Sequence, residues 1–213
     1  MNDRYAWAGG SELLHLRPGR LAGSVIAALP PFEEANRTRA LLASVLRDLN
    51  ERGFTTALPD LPGQGDSLVP TSAARLGDWR AAFAAAADTL PKPVHAVAVR
   101  AGALLDEAAA VASRWRLSAQ SGAALTRELA RLTASDGTVA GNALSPALLA
   151  ELATAEPVTT GPIRSLRLAS EPQPGDRTID AGPLWRRAEP GNDAALATLL
   201  ADDIAQWIAA CER

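Results

Sequence analysis

Cysteine is almost missing from this chain. Cys211 stands alone, so no internal disulfide can form, which suits a reducing compartment. Histidine occurs twice, as His15 and His95, so any chemistry that needs an imidazole has two places to find one. Lysine occurs once, as Lys92, against 20 arginines. With the alanine excess, that imbalance reflects the codon usage of a GC-rich bacterial genome rather than a function. Aromatic residues make up 4%. No uncharged apolar run approaches the roughly 20 residues of a membrane span, so no membrane insertion is expected. The opening residues, MNDRYAWAGGSE, lack a basic and then an apolar region and do not read as a signal peptide. A formal net charge of −3 offers no bulk attraction to nucleic acid or anionic lipid. No cluster has metal-ligand spacing, and no cofactor is expected.

At 213 residues, 47% hydrophobic and 21% charged, the chain fits one globular domain, residues 1–213. Residues 11–17 alternate loosely between glycine- and proline-bearing ends and predict an edge strand. Residues 24–29 (SVIAAL) predict a buried strand, which Pro30 and Pro31 stop. Asn36 is expected to cap a helix whose apolar face carries Leu41, Leu42, Val45, Leu46 and Leu49, with Gly53 as its stop. A strand over 54–58, a helix over 72–90, a strand over 94–99 and a helix from 101 to about 115 follow. Strands and helices alternating at this spacing predict a mostly parallel sheet with helices on both faces. In such sheets ligands bind beyond the carboxyl ends of the strands, which here are residues 30–36, 59–67 and 99–102. Further along, helices are predicted over 118–134 and 145–153, the second capped by Ser145 with Pro146 at its first position. Residues 135–142 read as loop, 163–169 as a strand, 171–190 as irregular, and 193–211 as an amphipathic helix. Residues 116–160 are expected to form a small helical cap over the sheet.

The stretch GFTTALPDLPGQGDS, residues 53–67, resembles the strand and loop of the α/β-hydrolase superfamily, an apolar strand followed by PD-x-x-G-x-G-x-S. That resemblance implies an α/β-hydrolase-like fold. In the superfamily a nucleophile elbow, G-x-S-x-G, follows the next strand. The aligned residues here are Ala98, Val99, Arg100, Ala101 and Gly102. The small flanking residues survive, but an arginine replaces the nucleophile, and a guanidinium stays protonated and does not attack. The superfamily's histidine lies late in the chain, and no histidine follows residue 95 here. His95 begins its strand, and a strand of about five residues spans roughly 17 Å, so His95 is expected far from Arg100. A narrower resemblance lies in LPPFEEANRTRALL, residues 29–42, which is similar to the PPF-x-E-E-x-N-x-x-R segment of the exosortase A system-associated hydrolase 2 family. This chain is one residue shorter after PPF. That family also places arginine at the elbow, and GPLWRRAEPGND, residues 182–193, resembles its late P-x-W segment. The resemblance implies a cytoplasmic bacterial protein from exopolysaccharide and protein-sorting gene neighbourhoods.

Arg100 has two readings. Beside backbone N–H groups it would make a fork for an anionic small molecule; alternatively it forms an internal ion pair with Glu33 or Glu34. A ligand pocket is expected from Phe32, Glu33, Glu34, Arg100 and Trp185. Asp60 and Asp66 read as loop-shaping residues, Ser67 as a serine without a histidine partner, and Trp79, Trp115 and Trp207 as helix residues facing the core or an interface. A homodimer is permitted by the apolar fraction and demanded by no pattern. Two functions stand open: a non-catalytic binding or accessory protein, or an enzyme in which Glu33 or Glu34 is the base and Arg100 holds an anionic substrate.

Overall fold

The computed structural model describes residues 2–139 and 141–213; positions 1 and 140, the latter in the expected 135–142 loop, lie outside the described residues. The strands are β1 (Asn2–Trp7), β2 (Gly10–Arg17), β3 (Ser24–Ala28), β4 (Thr55–Pro59), β5 (Val94–Val99), β6 (Ser113–Leu117), β7 (Ile163–Leu168) and β8 (Arg177–Ile179). They form one sheet in the order β1-β2-β4-β3-β5-β6-β7-β8. The first hairpin is antiparallel and joins β4 antiparallel, while β4 through β8 run parallel. The expected mostly parallel sheet with helices on both faces is therefore present. Residues 11–17 are not its edge, because β1 pairs outside them.

The helices are α1 (Glu33–Glu51), α2 (Leu76–Asp88), α3 (Gly122–Ala130), α4 (Pro146–Thr154) and α5 (Ala194–Cys211). Strand alternation divides the core. On β5, Val94, Ala96 and Ala98 face a layer containing Trp79, Phe83, Leu125 and Leu152, so α2, α3 and α4 cover that side. Val97 and Val99 face Leu41, Leu42, Val45, Leu49, Leu200 and Ile204, so α1 and α5 cover the other. Burying each large apolar side chain contributes about 1.5–3 kcal/mol.

Two expectations are corrected. The helix predicted from 101 to 115 is a single 3₁₀ turn, Arg100–Leu104, after which the chain returns as β6. Gly102 lies against the carbonyls of β3's end; a Cβ there would sit 2.5 Å from the Ala28 oxygen. Past that contact the Asp106 carboxylate turns inward to Arg114 and Arg116. Trp115 therefore sits in a strand, on the α5 side. Asn36 does not cap α1. The helix starts four residues earlier, with Phe32 at its cap position in a left-handed conformation (φ 61°) and no side-chain cap. Glu33 and Glu34 occupy the first turn, where the helix dipole favours acidic groups.

Residues 122–154 supply the small cap as two short helices, capped by Ser121 and by Ser145, with Pro146 in the first turn of α4 as expected. Of the described helices, α5 alone is long and apolar enough to cross a membrane. One face of it packs on the sheet, where Leu196, Leu200, Ile204 and Ile208 are buried. Asp203 is buried with them, accepting from Trp115 Nε1 at 2.8 Å, Arg164 Nε at 2.6 Å and Arg177 Nη1 at 2.9 Å. Burial raises its carboxyl pKa, but these donors, Arg164 foremost, bring it down to about 2.

Gly122 marks where the cap helices touch. A Cβ on it would lie 1.7 Å from the Leu152 carbonyl oxygen. Gly122→Ala should therefore force α3 off α4 and cost about 1–3 kcal/mol, read as a lower urea midpoint and faster amide exchange across residues 122–154.

Candidate functional site

At the carboxyl end of β5 the backbone turns sharply through Arg100, whose φ is 54°. A non-glycine residue held there stores about 1–3 kcal/mol of strain. The neighbouring small residues Ala101 and Gly102 let the corner lie against β3. The arginine side chain turns inward and is only 7% exposed. Nε donates to Glu34 Oε2 at 3.3 Å and Nη2 to Glu34 Oε1 at 3.2 Å. Nη2 also donates to both oxygens of Glu128, at 3.1 and 2.9 Å. The guanidinium carbon lies 5.1 Å from the centre of a Trp185 ring, a cation–π distance. Trp185 is itself held by Arg37, whose Nη1 donates to its carbonyl at 3.0 Å.

The internal ion pair expected for Arg100 is present with Glu34. Glu33 instead faces solvent and its own helix, 3.5 Å from Arg37. Glu128, from the cap, is a member that no motif announces. The cluster holds two carboxylates and one guanidinium. Burial opposes charge on Arg100, and Glu34 followed by Glu128 more than offset it. Burial pushes the Glu34 carboxyl above its usual range, and the attraction of Arg100 only partly offsets this.

A cavity of about 760 Å³ opens beside this cluster, between the start of α1 and the 59–71 loop. Phe32, Glu33, Asn36 and Arg39 form one wall, and Asp60, Gln64, Ser67 and Thr71 the other. Phe32 stands edge-on to Trp79, with ring centres 5.8 Å apart. Trp79 Nε1 donates to the Pro62 carbonyl at 2.7 Å and so pins the loop. Of the residues expected to share a pocket, Phe32 and Glu33 line this cavity; Glu34, Arg100 and Trp185 lie in the clamp beside it. Asp60 shapes the loop as expected, its carboxylate accepting from the Asp66 amide at 3.1 Å.

Serines at this edge donate to carboxylates. Ser67 donates to Glu12 at 3.0 Å, and the fully buried Ser118 to Glu171 at 2.7 Å. One serine does meet an imidazole: His95 Nδ1 lies 2.9 Å from Ser113 Oγ, and His95 Nε2 lies 3.2 Å from Glu212. That chain of groups sits at the amino ends of β5 and β6, away from Arg100, and Ser113 is 1% exposed. The serine and the imidazole are buried there, and Glu212 at the outer end is half-exposed.

The chain superposes over nearly its full length on solved structures. An esterase from Thermogutta terrifontis with malate bound matches with a TM-score of 0.66 at 12% identity, covering 100% of both chains. Mouse alpha/beta hydrolase domain-containing protein 10 matches with a TM-score of 0.68 at 15% identity over 98% of both. Est1E from Butyrivibrio proteoclasticus, solved with ferulic acid, matches with a TM-score of 0.62 at 17% identity, covering 97% of this chain and 99% of that one. The fold is thus the α/β-hydrolase fold. No family model matches the sequence, and no curated protein sequence does.

Two outcomes follow from this geometry. Arg100→Met should cost about 3–5 kcal/mol, because Glu34 is left buried without its cation. Glu128→Gln should cost under about 1 kcal/mol, because Glu128 is 40% exposed; urea unfolding of both variants checks the order. His95 has its pKa lowered by burial, which Glu212 opposes. The unfolded chain, with a histidine pKa near ~6.5, then binds the proton more readily than the folded one. The stability conferred by neutral His95 is complete above that value and declines as pH falls toward the lower folded pKa. His95→Gln should flatten this slope relative to the parent, measured as melting temperature between pH 8 and pH 5.

Proposed function

We propose that this protein is a non-catalytic binding or accessory member of the α/β-hydrolase fold, with the cavity beside α1 as its binding site. The reading rests on the saturation of the elbow position. Arg100 occupies the turn from which attack would begin, and its Nε and Nη2 donate to Glu34 and Glu128. An acyl-transfer enzyme of this fold needs a nucleophile, a base and an orienting acid in hydrogen-bond sequence. After β8, where chain order would bring the base, the chain carries Trp185, packed under Arg100. An anion at Arg100 would have to displace two carboxylates, so the open cavity is the better seat for a ligand. The PPF segment and the elbow arginine support a place beside bacterial exosortase and exopolysaccharide systems, in the cytoplasm.

A second reading is favoured by one observation, the raised pKa of Glu34. A carboxyl poised closer to neutrality is what a general base requires. In that case Glu34 takes a proton and Arg100 steadies developing negative charge on an anionic substrate. The first reading is preferred because the two groups already satisfy each other.

Purified protein should hydrolyse p-nitrophenyl acetate and butyrate no faster than buffer. Arg100→Ser should not gain activity, since a serine there would still lack an imidazole. Turnover by the parent that is lost in Glu34→Gln would replace the binding reading with the enzymatic one.

A further inference from the structure

We infer that the cavity between α1 and the 59–71 loop takes a neutral, hydroxyl-rich small molecule, the chemistry a short sugar presents; this rests on the binding reading above. The argument begins with charge. Arg39 is the cationic side chain among the described lining residues, and it points at Asp60, 3.5 Å away. Asp60 is 3% exposed and also faces His15 at 3.6 Å. Glu33, on the same wall, is paired with Arg37. A phosphate or carboxylate entering here would compete with Asp60 for Arg39 and would meet the charge of Glu33 on the same wall, so the cavity is no anion trap. A purely apolar guest fits no better, because amide, hydroxyl and charged groups face the space from both walls.

The hydrogen-bonding inventory then narrows the guest. Ser67 Oγ already accepts from the Gly63 and Val69 amides and donates to Glu12. Thr71 Oγ1 donates to the Gly63 carbonyl at 3.0 Å. Those hydroxyls are occupied in shaping the loop. Gln64 and Asn36 are different. Gln64 lines the cavity, and its Nε2 is buried with no acceptor among the described residues; turning that amide toward the cavity gives up no hydrogen bond and lets a guest supply the missing acceptor. Asn36, displaced from the capping role, lies at the end of α1's first turn and lines the cavity. Two side-chain amides each offer donors and an acceptor. Set across from a carboxylate, with Phe32 and Phe83 supplying apolar surface, they match a ligand whose hydroxyls both donate and accept. The volume of about 760 Å³ falls within the roughly 300–1,000 Å³ of small-molecule sites.

Titration calorimetry and ¹⁵N NMR with glucose, N-acetylglucosamine and cellobiose, set against glucose 6-phosphate, glucuronate and butyrate, tests this. The expected result is saturable binding of at least one neutral sugar, with shifts at the Gln64 and Asn36 side-chain amides. Gln64→Ala should weaken that binding about tenfold, with its unfolding curve unchanged. Because Gln64 is a loop residue whose backbone amide already bonds to Leu61, the variant should fold. Binding of the charged compounds alone overturns the ligand class while leaving the binding function standing. Absence of binding by every sugar, or equal affinity in Gln64→Ala, also overturns it. Chromatography of the same mixtures reads the other claim: a sugar that binds and is converted overturns the non-catalytic reading and leaves the ligand class intact.

Discussion

The molecule is organised around one guanidinium in a place where a side chain is held under strain. A left-handed backbone at the end of β5 aims Arg100 inward rather than at a substrate. Through it three segments far apart in sequence are joined: the first turn of α1 by Glu34, the cap by Glu128, and the 3₁₀ turn Leu184–Arg186 by Trp185. In water each contact would be weak. Taken out of water the Arg100–Glu34 pair becomes mutually obligatory, since removing either leaves a buried charge without its counterpart, while the half-exposed Glu128 adds a weaker tie. The conformational strain that catalytic folds use to present a nucleophile is here turned to holding the cap against the sheet.

That arrangement separates two things that usually coincide at the carboxyl edge of a parallel sheet. The cluster at the elbow is nearly sealed and electrostatically complete. The open space lies to one side, over the ends of β3 and β4, with a wall made by the start of α1. Phe32 and Glu33 belong to the open space and Glu34 to the sealed cluster, so adjacent residues serve different sites because a helix turns its successive side chains by 100° each. The same rotation explains why two neighbouring glutamates with equal claims on Arg100 in the sequence end up with such different surroundings.

Much of this was legible in advance because it depends on local pattern. β5 runs over the residues expected of it, and Ser145 with Pro146 opens α4 as capping chemistry requires. The elbow arginine and its pairing with one of two adjacent glutamates were also readable, since the strand order brings those loops to a common edge. What escaped was set by distance in the chain. Residues 113–117 alternate arginine with tryptophan and leucine, a strand signal hidden by charges that find a shared partner only when Asp106 folds back on them. Asn36 has the chemistry of a cap, but the Ala35 amide closes the first turn on the Phe32 carbonyl, and the turn so formed carries Glu34 to Arg100, a contact 66 residues away in the chain. Glu128 stands in a polar helix face like any solvated glutamate until the cap is set down on the core.

Asp203 gives the late helix α5 an unusual property. Its carboxylate finds all three donors only if β6, β7 and β8 lie in the correct alignment, because Trp115, Arg164 and Arg177 come one from each. A slip of one residue in β7 would send Arg164 to the opposite surface of the sheet and strand a negative charge among leucines. A segment greasy enough to stick anywhere is thereby made selective, and its seating proofreads the strands beneath it.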